Sequence, residues 1–68
     1  MLTKLRLERL NRGLRQMDVV AMCNGQVPQH RLSLIERGLP PQPAEAKLLA
    51  KVFRTTTEHL FPAVNQPD

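Results

Sequence analysis

Glycine and proline cut this chain into pieces too short for anything but small elements. The breaks fall at Gly13, at Asn24-Gly25, at Gly38 with Pro40-Pro41-Gln42-Pro43, and at Pro62. Between them apolar residues recur at helical spacing, and β signals are weak. The whole chain is 68 residues, which is one small domain. Cys23 is its only cysteine, so no internal disulfide can staple the fold. Apolar residues make up 41%, enough for a modest core and too many for a disordered basic tail. The expected fold is all-α, a compact bundle of five short helices within residues 1–62. Residues 63–68 are expected to form a flexible C-terminal tail. A folded chain of this length has a radius of gyration of about 11 Å.

The first helix is predicted over about Thr3–Arg12. Leu2, Leu5 and Arg9 share its core-facing side, Leu7, Leu10 and Leu14 form a second series, and Gly13 stops it. The second covers about Gln16–Cys23 and buries Val19, Val20 and Cys23, with Asp18 in its first turn to suit the helix dipole. The third covers about Pro28–Arg37, with Pro28 at its first position and Gly38 as its stop. Pro43 opens the fourth, about Ala44–Phe53, where Ala46, Leu49, Ala50 and Phe53 line one side. Thr55 and Glu58 have capping-box spacing, predicting a short fifth helix through Phe61.

Charge and composition narrow the function. Lys and Arg outnumber Asp and Glu by 10 to 6, a net charge of +4, which favours an anionic partner. The longest apolar run, Val19–Cys23, is far short of the ~20 residues of a membrane span. Charges interrupt the N-terminal leucines, so no signal peptide is expected. A cytoplasmic setting fits both this and the lone cysteine. Without Trp or Tyr, and with two Phe, the chain is poorly equipped to stack single-stranded bases. Catalysis is not expected: His30 and Ser33 share a helix face, but no carboxylate is placed behind His30. No metal is expected either, since a structural zinc needs four ligands and only His30, His59 and Cys23 come into question. No cofactor is implied.

The third helix is the informative element. At 100° per residue, Leu32 and Ile35 fall on one side and can pack on Val19, Val20 and Cys23. The opposite side carries His30, Ser33 and Arg37, with Gln29 and Leu34 at its edges. A helix with a core face and a donor–acceptor face, preceded by a short helix and a turn, suits a DNA major groove. Gln can bind adenine through two hydrogen bonds, Arg and His can donate to guanine, and an apolar tip such as Leu34 can meet a thymine methyl.

These residues carry a family resemblance. Gly13-Leu14-Arg15-Gln16, Val19-Val20, Val27 and above all the run Leu32-Ser33-Leu34-Ile35-Glu36-Arg37-Gly38 resemble the Cro/CI-type helix-turn-helix domains (lambda-repressor-like, XRE family). Ala46, Leu49-Ala50-Lys51, Phe53, Glu58 and Leu60-Phe61 are similar to the family's fourth and fifth helices. The resemblance covers about residues 2–62. It implies a helix-turn-helix DNA-binding domain over 1–62, with the helix-turn-helix at helices 2–3. It further implies that Gln29, His30, Ser33 and Leu34 face base edges, and that Arg31 reaches a phosphate or a guanine. Gln16, Arg37 and Arg15 would lie at the DNA backbone, and Arg9 would pair with Glu36 to tie the first helix to the third. Two departures stand out. The turn at Asn24-Gly25-Gln26 is about two residues longer than the family's. Arg15 stands where a Thr or Ser usually caps the second helix, which removes a cap of typically ~1 kcal/mol.

The implied function is a small transcriptional regulator, a repressor of bacterial or phage type. It would bind a near-palindromic double-stranded operator as a homodimer, at the nucleoid. Leu48 and Val52, one turn apart on the fourth helix and outside the core stripes, form the candidate dimer surface. The rival readings are a protein-interaction module of the same fold, antitoxin-like or an anti-repressor, and a small RNA-binding protein.

Overall fold

The computed structural model describes residues 3–62, and among these the chain forms five α-helices and no strand. They are α1 (Lys4–Asn11), α2 (Gln16–Met22), α3 (Gln29–Glu36), α4 (Pro43–Val52) and α5 (Thr57–Leu60). The radius of gyration is 10.9 Å, close to the value expected from chain length. Leu2 and the tail 63–68 lie outside the described residues.

All five helices contribute to one core. Leu5 comes from α1, Val19 from α2, Leu32 and Ile35 from α3, Ala46, Leu49 and Ala50 from α4, and Leu60 from α5. Cys23, Val27, Phe53 and Phe61 fill the space at the helix ends. Phe53 is the largest fully buried side chain. The guanidinium of Arg12 stacks 5.2 Å from the centre of its ring and donates to its carbonyl at 3.1 Å, tying the end of α1 to the end of α4. Burial raises the pKa of the Cys23 thiol above its ordinary value, so Cys23 packs as a small hydrophobe.

The first four helices end alike. At each, the chain turns through the left-handed region: at Gly13, at Asn24 with Gly25, at Gly38 and at Arg54. Two backbone bonds then close the helix, as where Arg54 donates to Lys51 at 3.1 Å and Thr55 donates to Ala50 at 2.9 Å. Glycine adopts this conformation without a Cβ clash and Asn tolerates it; at Arg54 (φ 56°) it is strained.

Several expectations need correction. Pro28 is the N-cap of α3 and not its first helical residue; its ψ is 162° and its carbonyl accepts the Leu32 amide. The cap of α5 is Thr56, whose hydroxyl accepts from the His59 amide at 3.1 Å, and not Thr55. The amide of Thr55 is already used in closing α4, so α5 starts one residue later. Leu48 and Val52 are not an exposed patch: both are half-buried and pack against the core. The Leu7, Leu10, Leu14 series divides, since Leu14 packs on the core while Leu7 and Leu10 face solvent.

Relieving the strain at Arg54 is expected to stabilise the fold. Arg54→Gly should raise the unfolding free energy by about 0.5–1 kcal/mol. In urea titrations the midpoint should rise with the slope unchanged.

Candidate nucleic-acid interface

A buried charge sits where α1, α2 and α3 meet. The Glu36 residue is only 2% exposed and Arg9 9%. Arg9 Nε donates to Glu36 Oε2 at 2.6 Å and Nη2 donates to Oε1 at 3.0 Å, a forked pairing. Arg9 Nη1 donates to the Leu14 carbonyl at 2.9 Å, and the Thr3 hydroxyl donates to the Glu36 carbonyl at 2.9 Å. Among the described residues no buried side-chain nitrogen or oxygen lacks a partner. That satisfaction lets an ion pair persist where desolvation would otherwise cost several kcal/mol per ion.

The same network reaches the surface through two glutamines. Gln16 Nε2 donates to Glu36 Oε1 at 3.2 Å, which fixes which end of its amide points outward. Its Oε1 then accepts from Gln29 Nε2 at 3.5 Å, at the long limit of a hydrogen bond. Gln29 is exposed at the first position of α3. Sequence reasoning assigned the Arg9–Glu36 pair, Gln16 and Gln29 three separate roles; the fold joins them into one chain from core to surface.

The rest of the outward face of α3 follows the helical projection except at Ser33, which is less exposed than Leu34 at its edge. Leu32 and Ile35 are buried, His30 and Leu34 are exposed, and Ser33 is half-buried. Arg37 caps the C-terminus of α3 and is exposed. Arg15 is the N-cap of α2 and makes no side-chain cap bond; Asp18 accepts from its amide at 2.8 Å instead. Neither Arg15 nor Arg37 forms an ion pair among the described residues.

Arg31, expected to reach a phosphate or a guanine, is paired within the fold. It points to α4, where Nε donates to Glu45 Oε2 at 2.9 Å and Nη2 donates to Oε1 at 2.6 Å. One step of 100° from His30 carries its side chain round the helix toward the start of α4. Sequence reasoning missed Glu45. The Gln42-to-Glu45 spacing is a local helix-start signal, and the Gln42 amide does donate to Glu45 Oε1 at 2.9 Å. Nothing local reports a partner fourteen residues upstream.

Among the described residues no three of His, Cys, Asp and Glu converge as a metal group, and no helix is long and apolar enough to cross a membrane. No protein-family model, no curated protein and no solved structure matches the chain.

Breaking the buried pair should be costly. Glu36→Gln leaves the Arg9 charge without its counter-ion and should cost about 3–5 kcal/mol. A domain of this size has a total stability of roughly 3–10 kcal/mol, so thermal melts should show a variant at or near the edge of folding.

The ion pairs outside the core predict a pH dependence. Hydrogen bonds from Arg31 and from the Gln42 amide hold the Glu45 carboxyl below its ordinary 4.5, against partial burial. Hydrogen bonds from His59 and Arg12 lower Glu8 in the same way. Carboxyls with a lowered folded pKa contribute stability that is complete above 4.5. It is lost as the pH falls through the folded value. Melting temperature should therefore drop on acidification below that point, and the drop should be shallower in Glu45→Gln.

Proposed function

We propose that this chain binds double-stranded DNA in a sequence-specific way and regulates transcription, with α2 and α3 acting as a helix-turn-helix and α3 in the major groove. The observation that carries the reading is the chain of side chains running from buried Glu36 through Gln16 to Gln29. It sets the Gln29 amide beside Gln16 at the leading end of an exposed polar helix face, where an amide can meet base edges. In this reading Gln29, His30, Ser33 and Leu34 meet bases. Gln16, Arg15 and Arg37 sit at the flanking phosphates, which position the helix without reading sequence.

The size and charge of the chain agree with this use. A short α3 fits one major groove, and the excess of cations supplies the non-specific part of the affinity. A homodimer on a near-palindromic site would set two copies of α3 ~34 Å apart. Leu48 and Val52, the candidate dimer surface, are half-buried against their own core, so only their outer parts are available for it. A protein-interaction module is the alternative, favoured by the exposed Leu7 and Leu10 on α1 and Met17 and Met22 on α2.

Selection from random duplex DNA tests the reading. A defined motif should emerge, and affinity should fall with salt at a logarithmic slope of about −0.9 per neutralised phosphate. Gln29→Ala should fold normally and lose about 1–3 kcal/mol of discrimination at one base pair. No motif, with a flat salt response, would favour the protein-interaction module.

A further inference from the structure

The two ion pairs of α3 differ in what happens to the carboxylate when its arginine leaves. Glu36 is buried, and removing Arg9 leaves a charge in the core with one amide donor, from Gln16. Glu45 keeps the backbone amide of Gln42 at 2.9 Å and stands in the first turn of α4, where the helix dipole favours a negative charge. Its arginine is also the more accessible, since the Arg31 side chain is 26% exposed against 11% for Arg9. Arg31 follows Gln29 and His30 in the first turn of α3. It can therefore swing toward an incoming anion without leaving an orphaned charge behind.

We infer that Arg31 is an exchangeable cation, leaving Glu45 for a backbone phosphate when duplex DNA binds, so that Glu45 sets the affinity without touching DNA. The inference rests on the duplex-binding reading above and adds to it a competitor built into α4. Glu45 lowers affinity for every sequence alike, because its rival for Arg31 is a phosphate and carries no base identity. Arg9 does not take part: its three donor nitrogens are all engaged inside the fold.

The test uses a mixed-sequence duplex at a series of salt concentrations, with wild type, Glu45→Gln, Arg31→Gln and the double variant. Glutamine at position 45 keeps an oxygen for the Gln42 amide, so the start of α4 is preserved. Glu45→Gln should bind about two- to fivefold more tightly, the range for removing one solvent-screened competitor. Arg31→Gln should reduce the salt slope by about 0.9, one phosphate contact. The gain from Glu45→Gln should vanish in the Arg31→Gln background. An equal gain in both backgrounds would mean plain charge repulsion and would overturn the exchange, as would an unchanged slope. The unmutated protein gives an independent readout: the NMR signal of the Arg31 Nε–H should shift on adding duplex while that of Arg9 stays. A stationary Arg31 signal in a protein that binds duplex overturns the exchange alone. Failure of wild type to bind duplex at low salt overturns the duplex reading and the exchange together.

Discussion

Placing the carboxylate of Glu36 inside a bundle of this size is the constraint that the remaining structure answers. A buried charge is tolerated only when every lone pair is met and its counter-ion is held in place. The answer draws on three helices. Arg9 comes from α1, Gln16 from α2, and the carboxylate itself from α3. Apolar packing alone specifies orientation loosely, since cores tolerate volume-conserving hydrophobic substitutions and lose uniqueness before stability. A forked pairing of fixed length specifies it tightly. The orientation of α3 relative to α1 and α2 is thus set by hydrogen-bond geometry as much as by Leu5, Val19, Leu32 and Ile35.

Charge is distributed with a similar economy. Glu8, Glu36 and Glu45 are each engaged by an arginine. Asp18 serves the start of α2, and Glu58 accepts from the hydroxyl of Thr57 at the start of α5. Lys4, Arg6, Arg15, Arg37, Lys47, Lys51 and Arg54 form no ion pair among the described residues. The acidic groups are therefore mostly consumed within the fold while the cations face outward. A net charge of +4 understates how positive the surface is toward an approaching polyanion.

What the sequence made legible was what depends on near neighbours. Gly13, Asn24 and Gly38 mark helix ends because a left-handed residue is a local requirement, and the stripes of α3 and α4 follow from the helical period. Arg54 escaped notice for the same reason: nothing about an arginine advertises that conformation. In the run Thr55-Thr56-Thr57 three equivalent side chains competed for one cap, and only the closing bond of α4 decided among them. Leu48 and Val52 lie outside the stripe of Ala46, Leu49, Ala50 and Phe53 yet pack against the same core, so the apolar arc of α4 is wider than that stripe. The pairing of Arg31 with Glu45, like the Gln16–Glu36 bond, depends on how helices cross, and no spacing along the chain encodes that. For the candidate interface, the residues of α3 could be named from the helix projection, but the support behind Gln29 could not.

The connection between α2 and α3 has a consequence for how such a chain can change. Cys23 and Val27 are buried at its two ends, while Asn24, Gly25 and Gln26 between them are exposed. The two anchors hold the helices in register, and the residues between them carry none of the packing. Lengthening this segment by a residue or two costs little loop entropy. The connection is thus a place where the chain can gain or lose residues while α3 keeps its seat. Its length is decoupled from the geometry of the face that α3 presents.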